Sequence, residues 1–497
     1  MKKLFILFTV LAVLGASCKK DFLSVNEFNP NSASAVPANL VLPAALNTTS
    51  RIITSPGNFE FIYLWYGCWC ISGGYSQNAS LTQYNLLNGA YQGNWNNIYL
   101  NLQNYDYIDQ SSATDQLKPY KAIAKIMKAY IFQTLVDIYG NVPYTQALKG
   151  SAADQILKPA YDDQQSIYED LVIQLDAAMD LINTAPADAQ EVGDFDIIYH
   201  GDMGLWLKFA NTLKLRILIN QAGMTGRDSY ITGALATTPH TPADYIGAGE
   251  GAMLNPGYLQ SATKMNPFYE RFYKQDGSQQ ADGLGYYMAG QDACDFLGTY
   301  NDPRKLLLFA PYSGTNIKGN YYGALLLAPV PTTSPLGTGI VQNYNSDSPM
   351  MTDIESLFLQ AEAAQRGFIT GDAKALYVSA VTQSVTYLGG VAADAATYLG
   401  QTSAPLVNFT ETTNPIQTII TQKWLALNGI CPMSIWTDYR RTGYPSFIHF
   451  SADPAKLNPT PPVRLLYPQS EISTNNDNVV AQGDISLFTS KIFWQNR

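Results

Sequence analysis

The chain has 497 residues, with 40 acidic against 30 basic side chains, a formal net charge of −10 and only 14% charged residues. That balance argues against nucleic acid as a partner, because phosphate recognition needs clustered lysines and arginines. The sequence is instead rich in uncharged polar and aromatic side chains, including 33 tyrosines, a composition that suits stacking on sugar rings and bonding to their hydroxyls.

The chain opens "MKKLFILFTVLAVLGASCKK". Lys2 and Lys3 precede an apolar run from Leu4 to Leu14, eleven residues long. That is short of the roughly 20 residues that span a bilayer, so residues 1–17 read as a secretory signal. Leu14, Gly15, Ala16 and Ser17 lead into Cys18 in a pattern that resembles a bacterial lipobox, which predicts a lipidated Cys18 as the first mature residue. Loss of residues 1–17 leaves 480 residues and moves the formal charge from −10 to −12. A lipid anchor places a protein on a membrane surface rather than across it. Residues 18–38, with Asn26, Asn29, Pro30, Ser34 and Pro37, read as a polar tether, and 39–497 as a single domain.

The segment "FIYLWYGCWC" at 61–70 is apolar on every face and, with Ile71, predicts a buried helix. Helical periodicity continues over 119–138, 161–183, 203–220 and 352–366. Asp372 opens a further helix to about Leu388, and others follow near 414–428 and 434–441. Strand signals are few. The expected class is mainly α: a scaffold of tetratricopeptide-like helix pairs. Residues from about 224 to 350 are rich in Gly, Pro, Asn and Tyr and read as an irregular, loop-rich subdomain on that scaffold.

The chain lacks familiar catalytic signatures. His200, His240 and His449 have no metal-ligand spacing and read as surface or internally satisfied residues. There is no HExxH, GxSxG, P-loop or dinucleotide fingerprint, so neither metal nor cofactor is expected. Glu355 and Glu362 share a helical face and Asp438 precedes Arg440 and Arg441, which reads as an ion-pair network clamping helices. Once Cys18 takes lipid, Cys68, Cys70, Cys294 and Cys431 remain, and the sequence does not choose among their pairings.

Several stretches, taken in order behind the lipobox, carry a resemblance: "LVDIYGNVPYTQA" (135–147), "WLKFANTLKLRILI" (206–219), "ESLFLQAEAAQRG" (355–367), "QKWLALNG" (422–429), "WTDYRRTGYP" (436–445) and "RLLYPQSEISTNN" (464–476). Together they resemble the SusD/RagB family of Bacteroidota nutrient-binding lipoproteins, in its SusD-like branch. The resemblance implies an outer-membrane, surface-exposed lipoprotein without enzymatic activity. Such a protein captures oligosaccharides, or in some branches peptides, for a TonB-dependent transporter of the SusC type. One departure is visible: the family usually has Glu two positions before the Trp of its last motif helix, where this chain has Ser434. Any role of that acid does not transfer.

Two regions could present aromatic faces beside amides. The first runs from Trp69 through Tyr75, Gln77, Asn78 and Tyr84, with Trp69 the residue of the apolar run expected to reach the platform. The second is the irregular stretch, with Tyr273, Tyr286, Tyr287, Tyr300, Tyr321 and Tyr322. Two other classes stay open: a surface glycoside hydrolase, which needs only two suitably spaced carboxylates, and an adhesin without a transporter.

Overall fold

The computed structural model of the chain describes residues 36–150, 155–237 and 241–495. The signal, Cys18 and most of the tether lie outside the described residues, as does His240. The helices of eight or more residues are α1 (Ala38–Thr54), α2 (Pro56–Trp65), α3 (Gln92–Ser111), α4 (Lys118–Tyr139), α5 (Gln164–Asn183), α6 (Met203–Ile219), α7 (Asp228–Leu235) and α8 (Gln291–Thr299). They continue with α9 (Asp353–Gln365), α10 (Ala373–Tyr387), α11 (Ala392–Leu399), α12 (Pro415–Ala426) and α13 (Pro432–Thr442).

Local chemistry starts these helices where the sequence reading places them. Asp163, Asp202 and Asp372 accept hydrogen bonds from the first free backbone N–H groups of α5, α6 and α10, and Thr352 and Asn414 do the same for α9 and α12. Pro432 occupies the first turn of α13, where its missing N–H costs nothing, and Gly443 ends that helix in the left-handed region at φ +74°. Several helices bury their apolar stripes on a sequence neighbour: α3 on α4, α4 on α5, α5 on α6, and α9 on α10, whereas α1 packs on α3 and α2 on α13. This gives the mainly α, paired-helix scaffold that the periodicity predicts. Ala129–Tyr139 of α4 and Phe209–Ile219 of α6 are buried throughout.

The strands are short and antiparallel: β1 (Trp69–Ile71) with β5 (Tyr287–Ala289), β2 (Val142–Pro143) with β3 (Tyr161–Asp162), and β4 (Ala252–Leu254) with β6 (Ser348–Met351). The first pair corrects the expectation of one helix through Ile71. Helix α2 stops at Trp65, Gly67 turns the chain at φ +69°, and Trp69–Ile71 continues as strand. A wholly apolar run satisfies a buried strand as well as a buried helix. Cys68, Cys70, Cys294 and Cys431 are unpaired.

Buried charges lock the C-terminal helices together as the sequence predicts. Arg441 holds Glu362 through two bonds, Nη1 to Oε1 at 2.6 Å and Nη2 to Oε2 at 2.5 Å. Asp438 bridges Arg441 at 2.6 Å and Lys423 at 3.0 Å. Arg366 adds a 2.9 Å contact to Glu362, and Arg216 of α6 lies 3.5 Å from Glu355. Ser434 donates to the same Glu355 at 2.5 Å. These acids are therefore committed to the scaffold.

Candidate functional site

The site begins where β1 leaves the core. Trp69 is fully buried: its ring stacks on Tyr63 at 4.2 Å and its Nε1–H donates to Asn428 Oδ1 at 2.7 Å. Trp424 Nε1–H donates to the Tyr66 carbonyl at 2.9 Å, so the turn after α2 is bonded to α12. The apolar run thus forms a rigid footing for the loop that follows.

That loop, residues 72–78, is held from both sides. Ser72 N–H donates to the Tyr286 carbonyl at 2.9 Å and Gly73 N–H to the Ala328 carbonyl at 3.1 Å. A Cβ on Gly73 would lie 1.8 Å from the Leu327 carbonyl oxygen, so only glycine permits this approach. Tyr75 O–H donates to the Ala281 carbonyl at 2.8 Å, and its ring meets Tyr286 edge-to-face at 5.2 Å. Gln77 donates to the Ala324 carbonyl at 2.8 Å and accepts from Gly323 N–H at 3.2 Å. Three segments, 72–78, 281–287 and 320–330, therefore form one exposed rim. Tyr75 is 38% exposed on it, and Leu325 and Leu326 project at 79% and 93%.

Behind the rim lie charged groups that the sequence reading did not single out. The Arg271 guanidinium lies 5.0 Å from the Tyr287 ring centre and donates to Asp282 at 3.2 Å. The Glu60 carboxyl lies among Tyr91, Arg271, Tyr286 and Tyr287. Burial pushes it up to about 8, against the opposing pull of its backbone bond and Arg271. Its Oε1 accepts from Tyr91 O–H at 3.5 Å, and its Oε2 is buried without a hydrogen-bond partner.

The predicted site residues divide clearly. Tyr75, Asn78 and Tyr321 are exposed, although the Asn78 carbonyl oxygen is occupied, accepting from Ser80 N–H at 3.0 Å. Trp69, Tyr84, Tyr287 and Tyr322 are buried and offer no free ring face, which corrects the expectation for these four. The Tyr84 hydroxyl accepts from Ser451 N–H, and the Tyr287 ring packs among Trp69, Phe272 and Tyr286. Tyr273 and Tyr300 are partly exposed but engaged elsewhere, Tyr273 stacking on Tyr269 at 4.7 Å and Tyr300 meeting Phe296 at a tilt at 4.9 Å. The structure thus joins Tyr75 to Tyr286 and leaves Tyr273 and Tyr300 in contacts of their own.

A separate cavity of about 440 Å³ lies between Trp95, Tyr99, Pro143, Leu148 and Glu471. There Glu471 accepts from Tyr161 O–H at 2.9 Å and from Asn475 at 3.2 Å, tying the C-terminal segment to β3. Among the described residues, no group of three or more His, Cys, Asp or Glu side chains could hold a metal ion. No helix among them is long and apolar enough to cross a membrane.

A family profile described as SusD-like, "Starch-binding associating with outer membrane", matches residues 30–468, most of the chain. The chain belongs to the SusD-like family. Its fold is shared with a SusD-like protein of Bacteroides thetaiotaomicron at 23% identity and TM-score 0.73, covering 93% of this chain and 99% of that one. A SusD homologue of Bacteroides fragilis matches at 22% identity and TM-score 0.70, covering 93% and 99%. A chitin-binding protein matches at 22% identity and TM-score 0.70, covering 92% and 100%. No curated protein matches the chain. For a SusD-like protein, the paired-helix scaffold and the loops mounted on it are the expected architecture, and association with the outer membrane is a property of the family.

Proposed function

We propose that this SusD-like protein captures oligosaccharides at the cell surface and delivers them to a TonB-dependent transporter of the SusC type. The observation that carries the reading is the rim around Tyr75. An exposed tyrosine, braced edge-on by Tyr286, stands beside the Gln77 and Asn78 amides on a loop bonded to two neighbours. Fixed aromatic faces with adjacent amides are what recognition of a neutral pyranose requires. The family description and the chitin-binding structural relative support glycan over peptide.

In this proposal residues 1–17 are removed, Cys18 carries the lipid, residues 18–38 form the tether, and 39–497 act as one domain with an irregular ligand-binding insert at about 224–350. The protein binds and does not turn over its ligand, because the acids that stand out in the sequence, Glu355, Glu362 and Asp438, are spent on buried ion pairs. A combined glycan and peptide array probed with protein lacking residues 1–18 tests this. Binding to one class of oligosaccharide is the expected result. Binding to peptides alone would overturn the ligand assignment, and hydrolysis of a bound glycan would overturn the non-enzymatic one.

A further inference from the structure

The rim continues beyond Tyr75 to a histidine that the sequence reading left as an ordinary surface residue. Residues 321–323 lie against Gln77 on one side and against the segment 449–453 on the other: Ala452 N–H donates to the Tyr322 carbonyl at 2.8 Å, and a Cβ on Gly323 would lie 2.1 Å from Ser451 Oγ. At the far edge the His449 ring lies 4.9 Å from the Tyr321 ring, and 65% of the His449 side chain is exposed.

An exposed imidazole ordinarily samples several rotamers. Here it is fixed at two points by one buried carboxylate: Nδ1 lies 2.6 Å from Asp292 Oδ1, and the His449 backbone N–H donates to Asp292 Oδ2 at 3.0 Å. The Asp292 side chain is 4% exposed. A carboxylate accepts, so Nδ1 is the nitrogen that donates to Asp292 and Nε2 is the nitrogen directed away from it. Nε2 has no protein partner among the described residues. Room for Asp292 comes from Gly67, the glycine of "YGCWC", where a Cβ would lie 2.5 Å from Asp292 Oδ2. Beside this pair, the Tyr321 hydroxyl donates to Asp295 Oδ2 at 3.2 Å, and Gln291 donates to Asp295 Oδ1 at 2.6 Å.

We infer that His449, oriented by Asp292 and flanked by Tyr321 and Asp295, is a specificity-determining contact for a hydroxyl of a neutral pyranose at a second subsite of the same face. This rests on the glycan reading above. A buried group that fixes the direction of an exposed polar one is how a binding residue is pre-organised. The Tyr321 ring supplies an apolar surface for the sugar. Nε2, which can bond a hydroxyl as acceptor or donor, and Asp295, an acceptor beside that surface, favour a neutral polyol over an anion.

The test uses an array of neutral gluco-, galacto-, manno- and N-acetylglucosamine oligosaccharides, followed by calorimetry on the tightest binder and its monodeoxy analogues. H449A is expected to weaken that binder about tenfold, the size of one hydrogen bond, measured well below a melting transition that loss of the Asp292 contact lowers. One monodeoxy analogue should lose as much with the wild type and nothing further with H449A. H449Q, which keeps a polar side chain at this position, should restore part of the affinity and guards against a folding defect in H449A. If H449A binds like wild type while Tyr75→Ala abolishes binding, the subsite is overturned and the glycan reading survives. If wild type binds no glycan, both fall.

Discussion

The Nε1–H of Trp69 donates to Asn428 Oδ1 at 2.7 Å, joining the strand that begins the platform to the turn after α12, 359 residues later. Both residues are fully buried, so this bond closes the footing of the loop that carries Tyr75. Truncating Asn428 leaves a buried indole N–H without a partner, which costs about 1–3 kcal/mol. Asn428→Ala should therefore lower unfolding stability by that amount in urea titration. A loss below about 0.5 kcal/mol would mean that the footing does not depend on this bond.

The clamp around Glu362 makes stability depend on pH in the acid range. Burial alone would raise the carboxyl, but the charges of Arg441, Arg366 and Lys423 outweigh it and hold Glu362 at about 2, below its ordinary 4.5. A depressed carboxyl contributes stability that is present above pH about 4.5 and is lost as the pH falls toward about 2. Glu362→Gln should cost about 1.5–3 kcal/mol near neutral pH, because it removes the bidentate charged partner of Arg441 and leaves only Asp438. The difference between variant and wild type should shrink on acidification across that window, measured as unfolding free energy against pH.

Glu60 titrates in the other direction. With its carboxyl raised to about 8 from 4.5, the folded state holds a proton that the unfolded state has released. Stability is therefore drawn down as the pH rises from about 4.5 to about 8. Glu60→Gln removes this cost without changing shape. It should raise stability by about 1–3 kcal/mol at pH 8 and by little at pH 4. Equal melting curves for variant and wild type at pH 8 would contradict the assignment.

The scaffold was legible because its signals are local. A stripe at helical spacing, an Asp or Asn cap, and a glycine or proline at a terminus sit within one segment, so α5, α6, α9, α10 and α12 begin and end close to where periodicity places them. "FIYLWYGCWC" misled because uniform hydrophobicity carries no period. The break came at Gly67, which turns in the left-handed region and, lacking a Cβ, lets the sequence-distant Asp292 pack against it.

The site was harder for the same reason. Composition pointed to tyrosines in two segments, yet their exposure is settled by partners distant in sequence. Tyr75 reaches the surface because Ala281 and Tyr286 brace it there, whereas Ser451 caps Tyr84 inside and Phe272 and Trp69 enclose Tyr287. His449 carried no local signal at all, since the carboxylate that orients it is 157 residues earlier.

Calorimetry against the glycan selected by the array asks whether a glycan docks on the rim built around Tyr75. Wild type should bind with an affinity that Tyr75→Ala reduces about tenfold, the scale of a lost stacking contact. Leu148→Ala, at the separate cavity, should leave that affinity unchanged. Undiminished binding by Tyr75→Ala, with affinity lost instead on substitution at Leu148, would contradict the claim.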